Sequence, residues 1–456
     1  MSGLRGVPPF RSDVEGIAWP SLQKGPGATL AAMMAELDRT QWTSAEEIAR
    51  RQFQQFVLVA EHCARHSKQF AERLDRAGLR APDLADWAGL SRLPVLTRRE
   101  VQRAGADLYC REIPPGHLPL SEIKTSGSTG EPVTVQRTAV NAIFWSAMAM
   151  REHFWNGRDF TKGLCAIRAN VEEPARRERW GAPVSVLYET GPSLVLPINR
   201  PAAQLVQWVA EFAPDNLLIY PSTLDVFASH CRQNGIAMPG LHHIRTIGET
   251  LSPRIRKEAE AVFGAKVEDL YSSNEIGYIA VQCPESGLYH VMAEDVIVEI
   301  LNETGAPCAA GETGRVTVTS LHNFAMPLIR YDIGDYAEAG APCACGRGLP
   351  TLARIAGRER NLILMPDGSR FWPVGGLIDA RDIAPLSQWQ MIQTAREAIE
   401  IRLIVERPLT ADEEEKLRAL VVSKLGYPFA LDLKYFEGRL PLGPNGKFEE
   451  FVCRVG

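Results

Sequence analysis

A chain of 456 residues, 45% of them hydrophobic, is too long for one ordinary core and is expected to fold as two or three globular domains. Its 50 basic and 55 acidic residues give a formal charge of -5 with no long run of one sign, so neither nucleic acid nor an anionic membrane is an expected partner. Nine cysteines, an odd number, do not make the dense framework of a small secreted domain. The first residues, MSGLRGVPPFRSDVEG, lack the apolar centre of a signal peptide, and no apolar run reaches the length of a membrane span, so the sequence reads as cytoplasmic.

Residues 1–120 read as mainly helical. Thr43 or Ser44, with Glu46 or Glu47 three positions on, forms a capping-box signature, and Phe53, Phe56, Val57, Ala60 and Ala64 recur at helical spacing until Gly78. Further along, the β-type runs PVSVLYE, NLLIYP, VIVEIL and GRVTVTS alternate with helical segments at Pro201–Glu211 and Pro253–Phe263, which predicts a mixed α/β fold. The texture changes near residue 357, where RIAGRERNLILMPDGSRFWPVGG intersperses glycines and prolines. A boundary there leaves 1–357 as a large N-terminal domain and 358–456 as a small α+β domain.

The stretch KTSGSTGEPV contains Thr125, Ser126, Gly127, Ser128, Thr129 and Gly130. Small residues with hydroxyls and free amides suit a phosphate cradle, because glycine lets the backbone approach closely and Ser/Thr add donors. Alone, the cluster reads equally well as a surface turn, and it lacks the lysine-bearing end of a Walker loop. Five stretches follow it in order: TIGET (246–250), YSSNEIG (271–277), IRYDIGD (329–335), AGRERN (356–361) and LGPNGKFEE (442–450). Six pieces in this register resemble the adenylate-forming superfamily of acyl-CoA synthetases, adenylation domains and luciferases. AMPLIRYDIGD, CACGRGLP and LPVLTRREV further resemble its phenylacetate–CoA ligase branch.

The resemblance implies a large N-terminal adenylate-forming domain with mixed sheets and helices, and a small mobile C-terminal domain. It also implies a two-step reaction, in which a carboxylate attacks the α-phosphate of ATP to give acyl-AMP and pyrophosphate, and a nucleophile then displaces AMP. Residues 125–130 would hold the β- and γ-phosphates. Val133 and Thr134 stand where many relatives carry lysine and glycine, a mark of the branch. Glu275 would hold Mg²⁺ and Tyr271 would stack on adenine, with Gly248 and Glu249 beside the base. Asp335 would accept from both ribose hydroxyls, and Asp332, outside that register, is expected to be structural. Arg358 would meet ribose or the α-phosphate from the hinge, where Arg360 replaces the usual aspartate or lysine. Lys447 would bridge the substrate carboxylate and the α-phosphate as the principal catalytic residue.

Cys283, His290, Cys343 and Cys345 together make either a tetrahedral structural Zn²⁺ site or four unliganded side chains; a C-x-C pair is tighter than the usual spacing. The other cysteines are read as packing or surface residues. Tyr220, Ser222, Trp145 and Phe144 are expected around the acyl pocket, whose aromatics suit an aryl or arylalkyl acid, while aromatics on a predicted helix also suit the core. Three acceptors stay open: coenzyme A, a separate carrier protein, or an amine giving an amide. A nucleotide-binding scaffold without turnover is the reading from another class. A homodimer is the default expectation for oligomeric state.

Overall fold

In a computed structural model of the chain, which describes residues 10–124, 133–358, 361–371, 380–438, 440–441, 443 and 448–455, the expected N-terminal helices are Gly25–Thr40, Ala45–His66 and Lys68–Ala77. Ser44 caps the second of them, its hydroxyl accepting from the Glu47 amide at 3.3 Å. Phe53, Phe56 and Ala60 are buried as the spacing predicts, and Val57 and Ala64 keep partial exposure. The stripe does not continue unbroken to Gly78. Helix stops at His66, and the fully buried Ser67 caps the next one while donating to the Leu108 carbonyl at 2.9 Å. A hydroxyl with such backbone partners competes with helix continuation.

One of two compact units comprises Met1–Thr161, Glu178–Gly191 and Leu270–Ala356. Its strands lie in the order Val296–Leu301, Thr313–Ser320, Tyr331–Ala339, Thr351–Arg358, Tyr289–Val291 and Gly277–Gln282, and the last pairs antiparallel with residues 270–273. The helical lead-in closes over this sheet through Phe56, Phe70, Leu84 and Leu90, packed with Ile297, Leu321 and Ile329. Each such side chain contributes about 1.5–3 kcal/mol when fully buried. Arg330 fixes the register of that contact. Its guanidinium forks onto Glu299 at 2.8 and 3.0 Å and donates to the Ser91 and Leu93 carbonyls. Leu96 donates to the Arg330 carbonyl at 2.7 Å and accepts from the Asp332 amide at 2.9 Å, so LPVLTRREV runs beside IRYDIGD.

PVSVLYE, expected as a strand, is corrected here: Val184–Leu187 is a turn of helix. Val184 and Leu187 are both buried. A strand would send residues three apart to opposite faces, whereas a helical turn sends them to one, and burial overrides the β-branched preference.

The second unit comprises Lys162–Arg177, Pro192–Asp269 and Gly357–Gly456. Leu164–Arg168 pairs in parallel with Ser193–Pro197 on one side and Asn216–Ile219 on the other, and the latter pairs in parallel with His243–Ile247. Parallel strands need crossovers, here the helices Ala202–Phe212 and Pro221–Gln233. Leu217, Ile219, Leu224, Phe227 and Ile244 form their core. The strand expected over NLLIYP (216–221) stops at Ile219, because Pro221 opens a helix that takes in Ser222 and Thr223.

Towards the C-terminus, Leu386–Ala395 and Ala398–Val405 form an antiparallel pair, flanked in parallel by Phe451–Cys453 and Ala430–Tyr435 respectively. Helix Ala411–Leu425, with a Thr410/Glu413 capping box, buries Leu417, Val421 and Leu425 in a core with Trp389, Ile401 and Leu403. The architecture is mixed α/β with an α+β C-terminal portion, as the sequence predicts. Among the described residues no helix is long and apolar enough to cross a membrane.

Candidate active site

Within the first unit, strand Lys266–Ser273 ends at the YSSNEIG segment and presents Tyr271, whose hydroxyl donates to Asp335 Oδ2 at 2.9 Å. Asp335 follows Gly334, which adopts φ +79°, a left-handed conformation open to glycine at little cost. Asp332 is structural as expected: it pairs with Arg315 at 2.8 Å and accepts from the Gly334 amide at 2.9 Å. Four residues beyond Tyr271, Glu275 Oε1 accepts from Arg98 Nη1 at 2.9 Å. Arg137 donates to the neighbouring Asn274 carbonyl and lies over the Trp145 ring at 5.6 Å. Burial holds the Arg137 guanidinium below its ordinary value, against the pull of Glu275 and Asp295. Two arginines that sequence reasoning left unassigned therefore sit at the segment expected to hold a cation and phosphates. Trp145 is partly exposed and meets Tyr278 edge-on at 4.9 Å, while Phe144 is buried and stacks on His322 at 3.8 Å.

In the second unit the TIGET turn places Gly248 at φ +77° and aims Glu249 at two amides. Ser222 N–H donates to Oε2 and Phe448 N–H to Oε1, both at 2.9 Å. The buried Ser222 hydroxyl finds no hydrogen-bond partner among the described residues. Tyr220, also buried, precedes the same helix N-terminus. In the AGRERN segment, the Arg358 amide donates to Asn361 Oδ1 at 3.0 Å, and Asn361 donates to the Phe451 carbonyl at 2.6 Å. Asn361, unassigned from sequence, thus joins the AGRERN segment to the C-terminal strand. Thr125, Ser126, Gly127, Ser128, Thr129, Gly130, Arg360 and Lys447 lie outside the described residues.

The four metal-type residues come together in the first unit. Ligand atoms of Cys283, His290, Cys343 and Cys345 all lie within 4.8 Å of one another. Zinc–thiolate bonds of about 2.3 Å place tetrahedral sulfurs about 3.8 Å apart. Cys283 and Cys343 sulfurs are separated by 3.9 Å. His290 Nδ1 faces the Leu349 carbonyl at 3.3 Å, so Nδ1–H donates there and Nε2, 3.2 Å from Cys345 Sγ, keeps its lone pair for the cluster. Burial drives the His290 pKa down to about 4, the neutral state that a ligand needs. Burial raises the Cys343 thiol, but hydrogen bonds from Ser286 and the neighbouring thiols outweigh it and lower its pKa overall. This donor set fits a tetrahedral divalent cation.

Its surroundings combine Trp42 and Thr43 of the helical lead-in with Trp155, the last residue of helix Ala139–Trp155. The Arg347 guanidinium lies between Trp42 at 4.9 Å and Trp155 at 4.5 Å, and Trp155 meets His290 edge-on. Gly348 passes so close to Thr43 that a Cβ would sit 1.8 Å from the Thr43 carbonyl oxygen, which accounts for glycine there.

Residues 123–326, a span containing the loop, the TIGET turn, Tyr271 and Glu275, match the family of AMP-binding enzymes. The phenylacetate-coenzyme A ligase of Escherichia coli (strain K12) is 25% identical over 355 residues, covering 72% of this chain and 75% of that protein. The phenylacetate-coenzyme A ligase of Pseudomonas putida is 23% identical over 345 residues, with 73% and 75% covered. Among solved structures, 2-hydroxyisobutyryl-CoA ligase in complex with 2-HIB-AMP shares the fold with a TM-score of 0.73 at 18% identity, over 91% of each chain. The anthranilate CoA ligase in complex with anthranoyl-AMP has a TM-score of 0.51 at 16% identity, over 72% of this chain and 64% of that one. By these comparisons residues 123–326 are similar to AMP-binding enzymes, and about 72% of the chain is similar to phenylacetate-coenzyme A ligases.

Proposed function

We propose that the protein activates an aryl or arylalkyl carboxylic acid with ATP and Mg²⁺, and transfers the acyl group from the adenylate to coenzyme A. The observation that carries this reading is the Tyr271–Asp335 pair with Glu275 four residues on, because it gathers in one unit the groups a nucleotide requires. Asp335 takes the ribose hydroxyls, Tyr271 flanks the base and Glu275 holds the magnesium that screens the phosphates. Residues 125–130 cradle the leaving pyrophosphate, and Gly248 with Glu249 borders the adenine. Lys447 joins the substrate carboxylate to the α-phosphate, neutralising charge as the new P–O bond forms and pyrophosphate departs. Arg358 and Arg360 belong to a hinge on which the 358–456 portion moves between the two half-reactions.

Ser222, Tyr220 and Trp145 belong to the acyl pocket in this reading. The unpartnered Ser222 hydroxyl supports its role, and the names of the curated relatives support an aromatic acid. Cys283, His290, Cys343 and Cys345 hold zinc, which supplies a structural cross-link when bound. The protein acts in the cytoplasm on a small molecule. The test is ATP- and Mg²⁺-dependent pyrophosphate release across aryl, arylacetic, fatty and amino acids, for wild type and Lys447→Ala. Release with aromatic acids, at least about 100-fold lower in the variant, is the expected outcome. Release confined to fatty or amino acids would overturn the substrate class, and unchanged release in the variant would overturn the role of Lys447.

A further inference from the structure

Glu249 uses both carboxylate oxygens on backbone amides far apart in sequence: Ser222 at the start of helix Pro221–Gln233, and Phe448, each at 2.9 Å. Phe448 immediately follows Lys447 in the chain. On the other side of Phe448, Met391 donates to the Glu450 carbonyl at 2.8 Å and Gln390 to the Glu449 carbonyl at 2.9 Å. The chain leaving Lys447 is therefore held from two directions.

A second set of contacts ties the C-terminal portion to the same helices. Arg254 forks onto Asp225 at 2.8 and 2.9 Å, and Arg381 forks onto the same carboxylate at 3.1 and 3.2 Å. Both arginines also reach Glu258 Oε2, at 3.0 and 2.7 Å, and Arg254 lies 3.7 Å from Glu450. The side chains of Arg254, Asp225, Arg381 and Glu258 are between 10% and 13% exposed, so the charges interact with little screening. Arg381 is further fixed by donating to the Leu386 and Ser387 carbonyls at 3.1 and 3.0 Å. Buried, bidentate ion pairs contribute less to net stability than to orientation, since each tolerates one geometry. None of these five charged groups has a place among the nucleotide-handling residues.

We infer that Glu249 and the Asp225–Arg254–Glu258–Arg381 cluster are positioning groups that hold the segment bearing Lys447 for the adenylation step. The inference rests on the catalytic role proposed above for Lys447. A lysine that must sit between a carboxylate and a phosphate tolerates little displacement, and a misplacement of about 1 Å costs up to about 100-fold in rate. The cluster acts on the first half-reaction only, since acyl transfer to a thiol places no demand on that lysine.

The test compares Arg381→Ala and Arg381→Lys with wild type and Lys447→Ala, using phenylacetate with ATP for the first half-reaction and phenylacetyl-AMP with coenzyme A for the second. Hydrogen–deuterium exchange over residues 448–455 is followed in parallel and needs no substrate. For Arg381→Ala, kcat for pyrophosphate release falls about tenfold with KM for ATP within about twofold, thioester formation from the adenylate stays at the wild-type rate, and exchange at 448–455 accelerates. Arg381→Lys, which keeps the charge and loses the fork, falls between. Equal losses in both half-reactions, or unchanged exchange in Arg381→Ala, overturn the inference. If Lys447→Ala releases pyrophosphate like wild type, the catalytic proposal fails instead. If phenylacetate is not activated, the substrate class fails and the exchange comparison alone decides the clasp.

Discussion

Cys283, His290, Cys343 and Cys345 turn their ligand atoms toward one another, whereas Glu275 and Asp335, in the same unit, each turn toward a protein partner, Arg98 and Tyr271. The first arrangement is closed. Four donors converge with a histidine already locked in the right tautomer, as structural zinc requires. The second arrangement is open. A protein donor orients each carboxylate, and a carboxylate can accept several hydrogen bonds or share its oxygens with a cation. The contrast separates donors that face one another from carboxylates that face a protein partner and keep further acceptor capacity.

The contrast breaks most sharply at Glu275. Glu275→Ala is expected to lower pyrophosphate release by about 10²–10³-fold and to raise the Mg²⁺ concentration needed for half-maximal rate, with a melting temperature within about 3 °C of wild type. A magnesium titration of the rate alongside thermal unfolding measures both. Cys345→Ala should do the reverse. Metal analysis should show loss of bound zinc, and the melting temperature should fall by roughly 5–10 °C, while residual rate at low temperature tracks the folded fraction. If Cys345→Ala leaves stability untouched, the cluster is not a cross-link. A smaller effect belongs to Tyr271→Phe, which deletes the hydrogen bond to Asp335; a net bond of about 1 kcal/mol corresponds to about a fivefold rise in KM for ATP. Steady-state kinetics with saturating acid would show it, and no change would mean that Asp335 keeps its orientation without the tyrosine.

How far the sequence reaches follows the same division. The metal-type quartet is legible because thiol and imidazole are scarce and their chemistry is narrow, even though Cys283 and Cys345 come from separate segments. The order of the six motifs assigns the nucleotide residues only through the resemblance it carries. Arg98 is not legible as a partner of Glu275: an ion pair across 177 positions leaves no periodic trace, and arginine is a common residue with a common surface role. Glu249 shows a different limit. Its motif assigns it to the base, yet it accepts from the Ser222 and Phe448 amides, and a backbone donor leaves no mark on residue type. PVSVLYE fails for a third reason, since β-branched preference is weak beside the burial of Val184 and Leu187 on one side of a turn.

The smallest expected effect lies at Glu450, beside Arg254 in the ion-pair cluster of the second unit. The Glu450 side chain keeps 36% exposure, yet desolvation by the surrounding protein, with the charges of Asp225 and Glu249, pushes its carboxyl up to about 7 against the pull of Arg254 and Arg381. In the unfolded chain the same group releases its proton near its ordinary value of 4.5. Between these two values the folded state binds more protons than the unfolded state, so this group's contribution to stability is fully present below 4.5 and is lost as pH rises through about 7. Carboxylates held low elsewhere, such as Glu294 beside Arg151, add the opposite slope, so the informative quantity is a difference. Glu450→Gln, which cannot ionise, should remove this component: the stability of the variant relative to wild type should rise between pH 4.5 and 7 and level off above. Urea unfolding of both proteins at several pH values measures it. A flat difference across that window would mean that Glu450 is ionised throughout, with its full negative charge facing Arg254. The clasp would then carry three carboxylates against two arginines at neutral pH, and Arg381→Ala should destabilise it more than a cluster with a neutral Glu450 would allow.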